Sequence, residues 1–188
     1  MAGTPARPLL VRALELFDAE PAPADALAID LGCGEGRDTA ELLERGWRVL
    51  AIDAEPEAFD RLLARENLTH RDRLETRVAR FEDADLPRCR LMNAAYALPF
   101  CPPEVFRALW PRVVSAIEPG GRFVGQIFGD RDDWAALPDR AHHRRGDLDA
   151  LFSSFVIESF EEEERDGADA LGFAKHWHIF HLIARRRS

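Results

Sequence analysis

Apolar and polar positions change period several times along this chain, and each change predicts an element. Residues 9, 10, 13, 14 and 17 are apolar, the spacing of one helix face, so a helix is expected over 9–17 before Pro21 and Pro23 break the chain. A short apolar run at 28–31 reads as a buried strand that enters Gly32-Cys33-Gly34-Glu35-Gly36 and then a helix over 38–45. A second apolar strand, 49–53, ends on Asp53. Glu55-Pro56 starts the next helix, with proline in its first turn and Phe59, Leu62 and Leu63 along it. Residues 74–80 mix Thr, Val and Arg, which suits an edge strand with one polar face.

The second half continues the alternation. Residues 91–95 are the expected fourth strand. Pro102-Pro103-Glu104 opens a helix to residue 117 with apolar positions at 106, 109, 110, 113, 114 and 117, and Pro119-Gly120-Gly121 ends it. A fifth strand follows at 122–128. Residues 129–146 have no strong periodicity and leave the end of that strand, so they are read as a flexible lid loop. A short helix at 147–152, a sixth strand at 154–161, a return turn at Asp166-Gly167 and a last strand at 172–184 complete the chain. The four glutamates at 161–164 read as a solvated face. Strands alternating with helices indicate an α/β fold with a mostly parallel sheet.

The candidate chemistry sits at two strand ends. Glycines at 32, 34 and 36 permit a sharp turn and let a ligand approach the backbone, with helix N–H groups facing it. Asp53 stands at the carboxyl end of the next strand, where open α/β sheets bind ligands, and a carboxylate there can accept both hydroxyls of a ribose. The glycines run G-x-G-x-G; a dinucleotide fingerprint would need its third glycine at Arg37, and no phosphate loop ending in Gly-Lys-Ser/Thr is present.

Through Ile29-Asp30-Leu31-Gly32-Cys33-Gly34-Glu35-Gly36, the acid at Asp53 and the Glu118-Pro119-Gly120-Gly121 helix end, the chain resembles a class I S-adenosylmethionine-dependent methyltransferase. The resemblance spans residues 26–128. It implies a doubly wound, mostly parallel seven-stranded sheet with an antiparallel last strand. It further implies S-adenosylmethionine as cofactor, held around Asp30, Gly32, Cys33, Gly34, Gly36 and Arg37, with the ribose at Asp53-Ala54. The adenine would fall to Phe81 with Glu82 or Asp83, and Asn93 would face the methyl-donor side. Two positions depart from the family. Arg90 stands where many members start the fourth strand with aspartate, and Asn93-Ala94-Ala95-Tyr96 is not the Asn/Asp-Pro-Pro-aromatic signature of amide methylation.

For the acceptor, Tyr96, Phe128, Arg131 and Trp134 are candidate contacts. His176 or His178 is the candidate base, because an antiparallel last strand begins at the active end of the sheet. A metal site from His142, His143, His176 and His178 has no spacing to fix its geometry, and no metal is expected. A small-molecule acceptor is favoured. Two other readings stay open: a non-catalytic protein that binds the cofactor, and a nicotinamide-dependent oxidoreductase.

Composition narrows the picture. At 188 residues the chain is expected to be one domain, with residues 1–25 a leading helix and linker. A formal net charge of −9 argues against nucleic acid or an anionic membrane as partner. The cysteines at 33, 89 and 101 have no metal-type spacing and suggest a reducing compartment. With no signal peptide or spanning run in view, a cytoplasmic location is the expectation.

Overall fold

The computed structural model describes residues 4–20 and 25–188, so the expected break at Pro21 and Pro23 lies outside the described residues. Five helices and eight strands follow in the order α1 (Pro8–Asp18), β1 (Leu27–Leu31), α2 (Arg37–Glu44), β2 (Arg48–Asp53), α3 (Pro56–Leu63), β3 (Leu74–Val78) and β4 (Cys89–Ala94). The rest are α4 (Pro103–Ala116), β5 (Ile117–Gly129), β6 (His142–His143), α5 (Leu148–Leu151), β7 (Phe155–Ala168) and β8 (Ala174–Arg186). The sheet order is β3-β2-β1-β4-β5-β8-β7, with the two-residue β6 beside the end of β5. Pairings among β1 to β5 are parallel, and β8 runs antiparallel between β5 and β7. This is the doubly wound sheet that the element order predicts, with one extra short strand.

Each face of the sheet has its own core. Leu10, Leu14 and Phe17 of α1, with Leu42 and Leu43 of α2, pack over one face. Phe106, Leu109, Trp110 and Val113 of α4, with Leu148 and Phe152 around α5, cover the other. The apolar periodicity of α1 and α4 is the pattern of these buried stripes. Among the described residues no helix is long and apolar enough to cross a membrane.

Three boundaries differ from expectation. β5 starts at Ile117 directly from α4, and the ladder with β4 shifts between Cys89 and Leu91 to accommodate Pro119-Gly120-Gly121. The sixth strand does not stop at residue 161. Glu161, Glu162, Glu163 and Glu164 pair in register with His181, Phe180, Ile179 and His178, so the acidic run is ladder as well as surface. The return turn therefore lies at residues 169–173, not at Asp166-Gly167. There Asp169 Oδ1 accepts the N–H groups of Leu171 and Phe173, and Gly172 supplies φ +88°.

The β7–β8 hairpin runs past the end of β5, whose ladder with β8 closes at Phe128–Ile179. Residues 130–136 fold back onto that arm. They contain a 3-10 turn over Asp133–Ala136, capped by the Asp132 side chain on the Trp134 N–H at 2.9 Å. Within the expected lid, residues 129–146, this segment forms a strap with regular local structure.

Candidate active site

The glycine turn is shaped by three residues with left-handed φ, +74° at Gly32, +54° at Gly34 and +74° at Gly36, and their reasons differ. A Cβ on Gly32 would fall 2.5 Å from the Ala97 Cβ, and one on Gly36 would fall 2.0 Å from Leu62 Cδ1. These two glycines let β1 and α2 close onto their neighbours. A Cβ on Gly34 would meet nothing within 4 Å. Gly34 alone of the three faces open space.

Beneath the turn lies a buried polar cluster. Asp30 Oδ2 accepts the Thr39 hydroxyl at 2.6 Å, and Asn93 Nδ2 donates to Asp30 Oδ1 at 2.9 Å and Asp38 Oδ2 at 3.2 Å. Arg7 closes the cluster, its backbone N–H and Nη1 each 2.9 Å from an Asp38 oxygen. Burial raises the Asp30 carboxyl from 3.8 to about 6, and the neighbouring Asp38 charge pushes in the same direction. Asp30 and Asn93 therefore brace the turn from below instead of presenting side-chain oxygens to a cleft. Asn93 Oδ1 is buried without a partner among the described residues. Cys33 is buried beside them.

Above the turn a cleft of about 490 Å³ brings together Gly32, Asp53, Ala54, Phe81, Glu82 and Tyr96 from the expected set. Asp53 accepts the Gly34 N–H on Oδ2 at 2.8 Å and the Glu55 N–H on Oδ1 at 3.0 Å. Each oxygen keeps a second acceptor position, enough for a pair of vicinal hydroxyls. The Phe81 and Glu82 carbonyls are held by Arg112 Nη1 at 3.3 and 3.0 Å. Asp83 is exposed and does not line the cleft. Ala79, Arg80, Phe100 and Pro102 do, and the sequence reading missed them. Arg37 lines a second cleft, on the far side of Tyr96.

Phe128 and Trp134 sit behind the first cleft. Phe100, which lines it, makes edge contacts with both rings at 6.1 and 5.9 Å between centroids. Lys175 is buried against these aromatics, its Nζ 4.3 Å from the Trp134 ring and 3.6 Å from Trp177, and it pairs with buried Asp132. Burial pushes the Asp132 carboxyl up, but His142, Lys175 and the backbone N–H groups of Trp134 and His178 outweigh it and hold the carboxyl near 2.

The expected bases are placed elsewhere. Both ring nitrogens of His176 are engaged, by Asp166 at 2.7 Å and Glu164 at 3.2 Å. The fully buried His178 ring accepts the Arg131 N–H and contacts Glu162 at 3.0 Å. Arg131 itself bridges Glu162 and Glu164 at 2.8 and 2.7 Å, filling the position a cation would take between those acids and His178. Strand polarity correctly puts both histidines at the active end. The overhang of β8 then carries them past the clefts and over the strap, so neither they nor Arg131 lines the opening beside Tyr96. His142 and His143 are half-buried on β6 and do not join His176 or His178 in a ligand group among the described residues.

Residues 28–121, half of the chain, match the methyltransferase-domain family model. The chain belongs to the methyltransferase-domain family. Its fold is that of the class I S-adenosylmethionine-dependent methyltransferases, and S-adenosylmethionine is its cofactor. TehB from Haemophilus influenzae superposes with a TM-score of 0.74 at 16% identity, over 94% of this chain and 62% of its own. This methyltransferase thus spans less than two thirds of that relative. The 1,6-didemethyltoxoflavin-N1-methyltransferase of Burkholderia thailandensis, solved with 1,6-didemethyltoxoflavin and S-adenosylhomocysteine, gives 0.67 at 20% identity, over 97% and 78% of the two chains. The N-methyltransferase NodS of Bradyrhizobium japonicum, solved with S-adenosylhomocysteine, gives 0.68 at 16%, over 95% and 86%. No curated protein sequence matches the chain.

The residues present fit the cofactor. Gly34 faces open space above the turn and donates its N–H to Asp53, whose carboxylate lines the 490 Å³ cleft and keeps an acceptor position on each oxygen.

Proposed function

We propose that this chain transfers the methyl group of S-adenosylmethionine to a small organic acceptor by in-line displacement. The observation that carries the reading is the cleft at the glycine turn, lined by Gly32 and by a strand-end carboxylate at Asp53 that is held by the Gly34 N–H. In this assignment Asp53 takes the ribose hydroxyls, Phe81 packs on the adenine, Glu82 takes its amino group, and Gly32 and Gly34 pass under the methionine part. Arg37, the first residue of α2, takes the methionine carboxylate in this reading.

The bound cofactor supplies a methyl group activated by a sulfonium. The protein's share is placement: aligning an acceptor with that group at attack distance contributes a large part of the barrier reduction. Tyr96 lines both clefts and stands between them. Its φ of +55° is a strained value for a non-glycine residue, held by its N–H on Gln126 Oε1 at 3.0 Å. A small acceptor agrees with the modest clefts and with the ligand named for the Burkholderia thailandensis relative.

Calorimetry with S-adenosylhomocysteine and NAD tests the cofactor assignment; the first should bind and the second should not. Binding of NAD alone would return the nicotinamide reading. Methyl transfer to any small acceptor would exclude the non-catalytic one.

A further inference from the structure

The second cleft, about 450 Å³, has walls of contrasting charge. Arg7, Arg12 and Arg37 line one side; Glu161, Glu163 and His181 line the other, with Tyr96 and Gln126 between them. Arg7 is neutralised by Asp38. Arg12 has no hydrogen bond or ion pair among the described residues, and Arg37 gives only its Nε–H, to the Pro5 carbonyl at 2.7 Å. A guanidinium without a carboxylate is a fork for carboxylate or phosphate. Finding two on one cleft is notable in a chain of formal net charge −9.

The opposite wall carries an oriented histidine. His181 Nε2 lies 2.8 Å from Glu163 Oε2, and Nδ1 lies 3.4 Å from Gln126 Nε2. An amide nitrogen only donates, so Nδ1 carries the lone pair and Nε2–H donates to Glu163. The Gln126 contact is long enough to yield to a better donor. Burial lifts the Tyr96 phenol, and the Glu163 charge lifts it further. It stays a donor, with no partner among the described residues.

We propose that this cleft is the acceptor site. It takes a small molecule with a carboxylate or phosphate at one end, held by Arg12, and a protonated nucleophile at the other, whose proton His181 removes. The assignment rests on the methyl-transfer reading above. As the bond from nucleophile to methyl carbon forms, the carbon–sulfur bond breaks with its electron pair left on sulfur. The nucleophile's proton passes to His181 Nδ1, and Glu163 faces the resulting imidazolium. The charged groups around His181 are Glu163 and Glu161 on β7, Arg165 paired to Glu163, and Arg7 over the Tyr96 ring. Glu161, directly opposite His181 in the ladder, repels an anion toward the arginine wall.

The test titrates inorganic phosphate and benzoate calorimetrically into the cofactor-free protein. Both should bind, and Arg12→Ala should weaken both about ten- to a hundredfold with S-adenosylhomocysteine affinity unchanged. Arg12 is chosen because Arg37 also serves the cofactor. No anion binding, or equal binding in the variant, overturns the proposal. Anion binding without S-adenosylhomocysteine binding would sink the cofactor reading and leave the anion site standing. A second arm supplies S-adenosylmethionine with phenols, amines and thiols, each paired with its carboxylate- or phosphate-bearing counterpart. Methylation should favour the anionic members, and His181→Gln should cut it about 10²–10⁴-fold at unchanged cofactor affinity. Preference for the neutral members, or a fully active His181→Gln, overturns the assignment.

Discussion

The half of the molecule around the glycine turn and the half around the β7–β8 arm are built on different principles. The first turns backbone features toward the cleft, left-handed glycines, strand ends and a helix start, over a buried side-chain cluster. The second is made of side-chain pairs between distant segments: Asp132 with Lys175, Arg131 with Glu162 and Glu164, Glu163 with His181. The family match ends at residue 121 and covers the first kind alone. A shared cofactor keeps one backbone path, whereas an acceptor can be met by many combinations of charged side chains.

The largest effect should come from the backbone half. Gly34→Val should abolish S-adenosylhomocysteine binding while circular dichroism reports a folded chain, because its side chain occupies the open space above the turn and disfavours φ +54°. Gly36→Val, aimed at Leu62, should lose the fold itself. Equal behaviour of the two variants would erase the distinction between ligand-facing and packing glycines.

Next in size is the strap. Lys175→Met leaves Asp132 buried without its cation and should cost about 3–5 kcal/mol in urea unfolding. Adding Asp132→Asn should restore much of it. Since the Asp132 carboxyl is held near 2, below its ordinary 3.8, its contribution is present above pH 4 and fades as pH falls through about 2. A single variant as stable as the parent would mean that the arm is held by its aromatics.

Asp53→Ala should weaken S-adenosylhomocysteine by about 1–3 kcal/mol, read by calorimetry. Unchanged affinity removes Asp53 from the ribose site.

Comparable in size is the effect of Asp30, whose sign is opposite to that of Asp132. Its carboxyl is raised to about 6, so between pH 4 and 6 the folded chain binds more protons than the unfolded one. Stability should fall as pH rises through that window, by of order 1–3 kcal/mol, and Asp30→Asn should flatten the fall. A parent chain whose stability rises steadily from pH 4 to 7, matched by the variant, would contradict the burial of an ionisable Asp30.

What the sequence made legible follows the same division. The turn at Gly34 and the strand end at Asp53 could be picked out because a backbone requirement leaves a residue type behind. Asp30 and Asn93 were located in chain but misjudged in direction, since periodicity does not tell whether a strand-end side chain points into a cleft or under a turn. His181 was passed over for His176 and His178. Its pairing with Glu163 depends on a hairpin register fixed by the turn at residues 169–173, which itself depends on the acidic run continuing as a strand. Arg12 carries no local signal at all, because an exposed arginine on a helix looks the same whether or not a cleft lies beneath it.

Helix α1 is fastened at both ends. Arg7 holds Asp38 at its start, and Glu20, just past its end, takes Arg122 Nη2 at 2.7 Å. Arg122 is 2% exposed and also bonded to Glu158 at 2.6 Å, so lifting the helix would strip one of two acids from a buried guanidinium. Slow local opening is therefore denied to this wall of the second cleft. In hydrogen exchange the α1 amides should open only with the whole chain, on the slowest timescale of the molecule. If the exchange bears this out, whatever enters beside Tyr96 passes a mouth of fixed width on that side, which then becomes a filter on acceptor size.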